Sequence, residues 1–359
     1  MVLRNLHLWL PAYLARRRPR PTGNLTHVLF CFVDHYEPLW NRPTLDVARA
    51  RVRAWTDQYP TLAAKFRDAD GRPPQHSFFY PAEEYQPVLL QPLEALCAVG
   101  LGEVEIHLHH DNDTAEHLRQ SLEEFKDQLA SHGFLTQGRY AFIHGNWCLD
   151  NSRADGRWCG VNNELQILRE TGCYADFTLP SVPSDTQTRQ INSIYYATDD
   201  PARPKSHDRG VEARVGGQPT GDLLLIQGPL ALNWRERKWG VLPRIEAGDV
   251  SGSTRPTPAR MDLWVRQRIG VRGQPDWVFV KVHTHGCQEA NFPAVFGDAA
   301  ERMHSYLQHA YNDGLRYKLH YVTAREMFNL VKAAEAGHGG EPHAYRDFLL
   351  PPPPVRSRT

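Results

Sequence analysis

Three short apolar runs in this chain stop abruptly at histidine or aspartate, and that repeated ending constrains the fold more than any other feature. Residues 26–33 (THVLFCFV) lead into Asp34-His35-Tyr36-Glu37-Pro38, residues 104–108 (VEIHL) into His109-His110-Asp111-Asn112-Asp113, and residues 277–282 (WVFVKV) into His283-Thr284-His285-Gly286. Runs rich in β-branched and aromatic residues predict buried strands. In folds of alternating strand and helix, the loops after the C-terminal ends of parallel strands build the active site. Imidazoles and carboxylates at three such ends therefore predict one shared site.

The rest of the chain fits the alternation. Helical periodicity runs over 44–68, a short strand over 76–79, and a helix over 84–99. Strand 103–108 is followed by an amphipathic helix over 114–131 with Thr114 as its N-cap, and by a strand over 139–143. A helix over 162–170 stops at Gly172 before a strand over 174–179. The pattern then lapses. Proline and glycine are dense over 182–258, where only 223–226 reads as a strand, so this segment is expected to be an irregular insertion. Regular alternation returns with a helix over 260–269, the strand ending at His283, a helix over 298–313 and a strand over 319–322. Thr323 and Glu326 then form a capping box opening a helix to about Ala336. The expected organisation is an N-terminal arm over 1–25, one α/β body over 26–336 and a tail over 337–359 that includes Pro351 to Pro354.

The 359 residues carry 41 basic and 41 acidic side chains, and that balance argues against a general electrostatic grip on nucleic acid. The short basic patch Arg16 to Arg20 reads as a solvated arm. No run of roughly twenty apolar residues occurs, so no membrane span is expected, and the default address is the cytoplasm. The six cysteines are scattered and read as reduced core residues, with Cys148 and Cys159 close enough in sequence to approach each other across a loop.

Alternate side chains of a strand share a face, which places His107 with His109. His109 and Asp113, four apart at the strand end, have a spacing that lets an imidazole and a carboxylate converge on one divalent ion if the chain turns there.

These strand-end motifs resemble the polysaccharide deacetylase (NodB-homology) superfamily over about residues 26–331, with 182–258 outside the match. The resemblance implies a distorted (β/α) barrel of about seven parallel strands in which a divalent metal activates water against an N-acetyl group. Phe32-Val33-Asp34-His35 stands where the family has an Asp-Asp pair, which implies Asp34 as base and His35 in place of the ligand carboxylate. Glu105 to Asp113 follows the family's Glu-Ile-Gly-x-His-x-x-x-His motif with the last histidine changed to aspartate, implying His109 and Asp113 as ligands. His144-Gly145-Asn146-Trp147 takes the place of an Arg-Pro-Tyr turn, and His283 with His285 matches the last motif, where a histidine is the general acid.

On this reading a His35–His109–Asp113 site holds the metal, Zn2+ first and Mn2+, Co2+ or Ni2+ as substitutes. Asp34 takes a proton from water, His283 or His285 hands one to the departing amine, and His107, His144, Trp147 and Tyr36 contact an N-acetylated carbohydrate. Trp40 and Trp158 are further candidates for stacking on sugar. Two other readings stay open. His107-Leu108-His109-His110 is similar to the His-x-His start of phosphoesterase and amidohydrolase barrels, and the same fold without catalysis would serve as a carbohydrate-binding or assembly protein.

Overall fold

The computed structural model describes residues 5–355, and ten strands join in one mixed, mostly parallel sheet. In chain order the strands are β1 (Thr26–His35), β2 (His76–Pro81), β3 (Gly102–Leu108), β4 (Tyr140–His144), β5 (Cys173–Asp176), β6 (Ile194–Ala197), β7 (Val211–Glu212), β8 (Leu223–Ile226), β9 (Ala231–Lys238), β10 (Leu242–Glu246), β11 (Trp277–Thr284) and β12 (Tyr317–Val322). The sheet runs β11-β1-β2-β3-β4-β5-β8-β6-β7, with β12 also on β1, while β9 and β10 form a separate antiparallel pair.

Strand β1 is the axis of the sheet. It pairs in parallel with β11 from His27 to Asp34, with β12 along its first half and with β2 from Phe32 to His35. All ten of its residues are buried, as a strand covered on both faces requires. Alternation divides them. Val28, Phe30 and Phe32 join a cluster with Val52, Trp55, Tyr59 and Leu62 of the helix Leu45–Ala63, whereas Leu29, Cys31 and Val33 pack with Phe79, Ala141, Ile143 and Phe279. Because β1, β2, β3, β4 and β11 run parallel, their C-terminal ends, and the histidines on them, lie along one edge.

The Lys281 ammonium of β11, the strand beside β1, donates to the carbonyls of Phe177 and Leu179, which lie just beyond β5 and far along the sheet path, at 2.7 Å each. On the same flank Val250 N donates to His283 O and His283 N to Gly248 O. Lys281 thus ties β11, at one end of the sheet path, to the segment that follows β5.

Several helix expectations are met with trimmed ends. Thr44 and Thr114 cap Leu45–Ala63 and Ala115–Ser131, and the Thr323/Glu326 capping box opens Ala324–Glu335. The helix expected over 84–99 is instead two short ones, Pro87–Leu90 and Leu93–Ala98, divided at Pro92, whose ring removes a helical donor. Segment 182–258 is less irregular than its proline and glycine content implies: besides β8 it supplies β6 and β7 to the main sheet and the whole β9–β10 hairpin. The first residues are not a free arm either. Leu6–Ala15 is helical, Trp9 is fully buried against Ile191 and Leu230, and the Arg16 guanidinium donates to Gln267 O and Asn192 O. Residues 1–4 and 356–359 lie outside the described part of the arm and tail. All six cysteines are buried and unbridged, and among the described residues no helix is long and apolar enough to cross a membrane.

Candidate metal centre

At the end of β1 the period of two decides which side chains meet. His35 turns to the same side as Glu37, and both face His107 of β3: one ligand-type atom from each of the three lies within 4.8 Å of the others. His107 Nδ1 lies 2.8 Å from Ile143 O, so that nitrogen carries the proton and the Nε2 lone pair faces Glu37 Oε1 at 3.2 Å. Two further imidazoles surround the same carboxylate. His285 Nδ1 is 3.1 Å from Glu37 Oε2, and His109 Nε2 is 3.3 Å from Oε1, while His109 Nδ1 meets Glu83 at 2.6 Å. The His35 ring stands 4.5 Å from that of His285, 4.9 Å from that of His107 and 6.2 Å from that of His283.

His35 and Glu37 are both in the protonation state of a ligand. Burial, reinforced by His285 and His107, holds His35 well below the usual imidazole pKa and so neutral. Burial alone would push Glu37 up, yet the hydrogen bonds from His109 and His285 hold it well below the usual carboxylate range. His109, despite the opposing effect of burial, is raised to about 10 by Glu37 and Glu83. Glu37, Glu83 and His109 line a cleft of about 520 Å³ together with Trp40, Asn41 and Arg42.

The expected ligand set His35–His109–Asp113 is divided. His35 and His109 belong to this cluster, but Asp113 does not reach it. Its Oδ2 binds His110 Nδ1 at 2.8 Å and its Oδ1 takes Thr114 N at 2.8 Å, as suits a carboxylate at the start of a helix. Asp34 is also elsewhere: adjacent to His35, it points to the opposite face of β1, where it accepts from Gly286 N at 2.6 Å and lies 3.5 Å from His76. Burial raises its pKa. The structure therefore does not put Asp34 in the position of a base at this centre. His285 is at the centre, and His283, on β11, is near its edge.

Among the residues expected to touch substrate, His107 is instead in the ligand group. Tyr36 is fully buried among Trp55, Phe78 and Tyr80, out of reach of a ligand in the cleft. His144 is buried in a second group with His110 and Glu164. Trp147 borders a different cleft, of about 450 Å³, with Arg153 and Trp158. Trp40, 42% exposed, is the aromatic ring beside the metal-type group.

Sequence reading missed Glu37, Glu83 and Glu164. Glu37 carried a signal: it is two residues from His35 at a strand end, and that spacing shares a face. Glu83 and Glu164 stand in a turn and at a helix start, with no periodicity that points to the site.

Compared with known proteins, the chain matches no family model, and no curated protein matches it either. What the fold and the site define is a mixed α/β protein with a mostly parallel sheet whose strand ends gather histidines and glutamates.

Proposed function

We propose that the chain is a metal-dependent hydrolase that removes the acetyl group from an N-acetylated carbohydrate, on a distorted (β/α) barrel. The observation that carries the reading is the convergence of His35, Glu37 and His107 at the C-terminal ends of parallel strands, beside an open cleft. Two neutral imidazoles and a carboxylate are a donor set of hydrolytic zinc centres, and the His107–Ile143 hydrogen bond fixes the tautomer that a ligand needs. These three residues would hold the ion. When bound, such an ion polarises a carbonyl and lowers the pKa of a water molecule.

The surrounding side chains have separate tasks. His109, partly exposed and paired with Glu83, stands at the cleft and is suited to move a proton between water and the leaving amine. His285, held on Glu37, orients the carboxylate from the other side. Trp40 offers an exposed ring to one face of a sugar, and Arg42 and Glu84 supply polar contacts around it. The carbohydrate substrate is supported by the motif resemblance at residues 105–113. The barrel is supported by Lys281, which bridges β11 to the segment after β5.

The test is acetate release from a panel of N-acetylated sugars by the purified chain, with and without chelator, alongside Glu37→Gln. Release that needs metal and is lost in Glu37→Gln is expected. A zinc-loaded parent that releases no acetate from any member of the panel overturns the proposal.

A further inference from the structure

Next to the first group, a second one has a geometry that the first does not account for. His110 Nδ1 lies 2.8 Å from Asp113 Oδ2, and His144 Nδ1 lies 2.5 Å from Gly145 O. Each Nδ1 faces an acceptor and so carries a proton, which leaves both Nε2 atoms with lone pairs in the neutral rings. Those two atoms face each other at 2.7 Å. The Glu164 carboxylate completes the group: its Oε2 takes Asp150 N, whereas Oε1 is fully buried and has no hydrogen-bond partner. That oxygen lies 3.2 Å from His110 Nε2 and 3.5 Å from His144 Nε2. Three acceptor-type atoms thus converge, buried, on one point.

Lone pairs meeting at such a point need something positive between them, and either a proton on His110 Nε2 or a divalent ion that displaces it meets that need. Ligands bound at about 2.0–2.1 Å in a tetrahedron are about 3.3–3.4 Å apart, and two of the three separations here already have that size. Only the His110–His144 pair, at 2.7 Å, has to open, by about 0.6–0.7 Å on the same geometry. The outer contacts are those of a metal site. The Asp113–His110 pair is a carboxylate–histidine arrangement of the kind that orients a ligand ring, and the Gly145 carbonyl does the same for His144. The ring of His110 is seated against Gly160, where a Cβ would come within 2.0 Å of Cε1.

From this convergence we infer that His110, His144 and Glu164 form a second binding site for a divalent ion of the zinc type, with Asp113 as the orienting carboxylate. The site ties together three separate parts of the chain: the turn after β3, the end of β4 and the start of the helix Glu164–Glu170. It does not depend on the first group, with which it shares no ligand.

The experiment is metal content by mass spectrometry after reconstitution with Zn2+ and removal of loose metal, on the parent, Glu164→Gln, Glu37→Gln and Gly160→Ala. Two ions per chain in the parent and one in each variant is the expected result, because Gly160→Ala displaces the His110 ring while leaving every ligand residue in the sequence unchanged. Co2+ loading gives a second readout in the parent alone: two separable steps in the visible absorption titration. A parent with a single ion that Glu164→Gln retains overturns the second site. A single ion lost in Glu164→Gln but kept in Glu37→Gln supports it and overturns the first site instead. A parent that takes up no metal overturns both.

Discussion

Asp34 and His35 are neighbours in the chain but serve opposite faces of β1: the Asp34 carboxylate accepts from Gly286 N, and the His35 ring stands 4.5 Å from that of His285. His285 and Gly286 are themselves neighbours, so the two contacts grip the same turn from two sides. Asp34 is therefore a positioning residue for the turn that carries His285.

Asp34→Asn keeps an oxygen for Gly286 N and is expected to leave Zn2+ content unchanged, with the rate falling by less than about tenfold. Asp34→Ala leaves that buried donor unpaired and is expected to cost about 1–3 kcal/mol in stability by urea titration. Equal loss of bound metal in Asp34→Asn and Glu37→Gln would show that the carboxylate of Asp34 reaches the centre.

Gly145→Ala tests the seating of His109. A Cβ at this position would fall 2.2 Å from His109 Cδ2, so the ring has to leave Glu37. A rate reduced about 10–100-fold, with the first-site ion retained, is the expected outcome; an unchanged rate would remove His109 from the proton path.

Lys281 gives a pH dependence. Burial pushes its ammonium down to about 8 in the folded chain, whereas an unfolded lysine titrates near 10.4. Between these values the unfolded state binds more protons, so this group's contribution to stability rises with pH, and below about 8 its cost is fully present. The stability of the parent relative to Lys281→Met is expected to climb by up to about 1.4 kcal/mol per pH unit between pH 8 and 9.5. A flat difference in parallel urea titrations would place the ammonium in a better solvated site.

Glu246 anchors the loop beside β11. It is bound by Arg260 Nε at 2.6 Å and Nη2 at 2.8 Å, and Trp264 Nε1 donates to it at 2.7 Å; Arg260 also donates to Asp249 O. Glu246→Ala leaves a buried guanidinium uncompensated and is expected to cost about 3–5 kcal/mol. A loss below about 1 kcal/mol would mean that water replaces the carboxylate.

The strand ends were legible because each is an apolar run stopped by polar residues, and β1, β3 and β11 are where that pattern placed them. So was the pairing of His107 with His109, which needs only a period of two. The same rule excludes Asp34 from the face of His35 and selects Glu37, but the motif resemblance favoured adjacent residues. Asp113 was misplaced for a different reason: spacing states how far a side chain can reach, and the turn at Asn112, with φ of 50°, sends it toward His110. Strands β6 and β7 were illegible because they are short and their pairing is nonlocal, so proline and glycine around them outweighed the signal.

Strand β8 lies between β5 and β6 within the sheet, so the middle third of the chain is not a removable ornament. Anyone seeking a minimal form by splicing across it would strip one flank of β5 of its neighbour and expose a raw edge to other molecules. Shortening is better aimed at the β9–β10 tip around Trp239, which is 76% exposed and outside the main sheet.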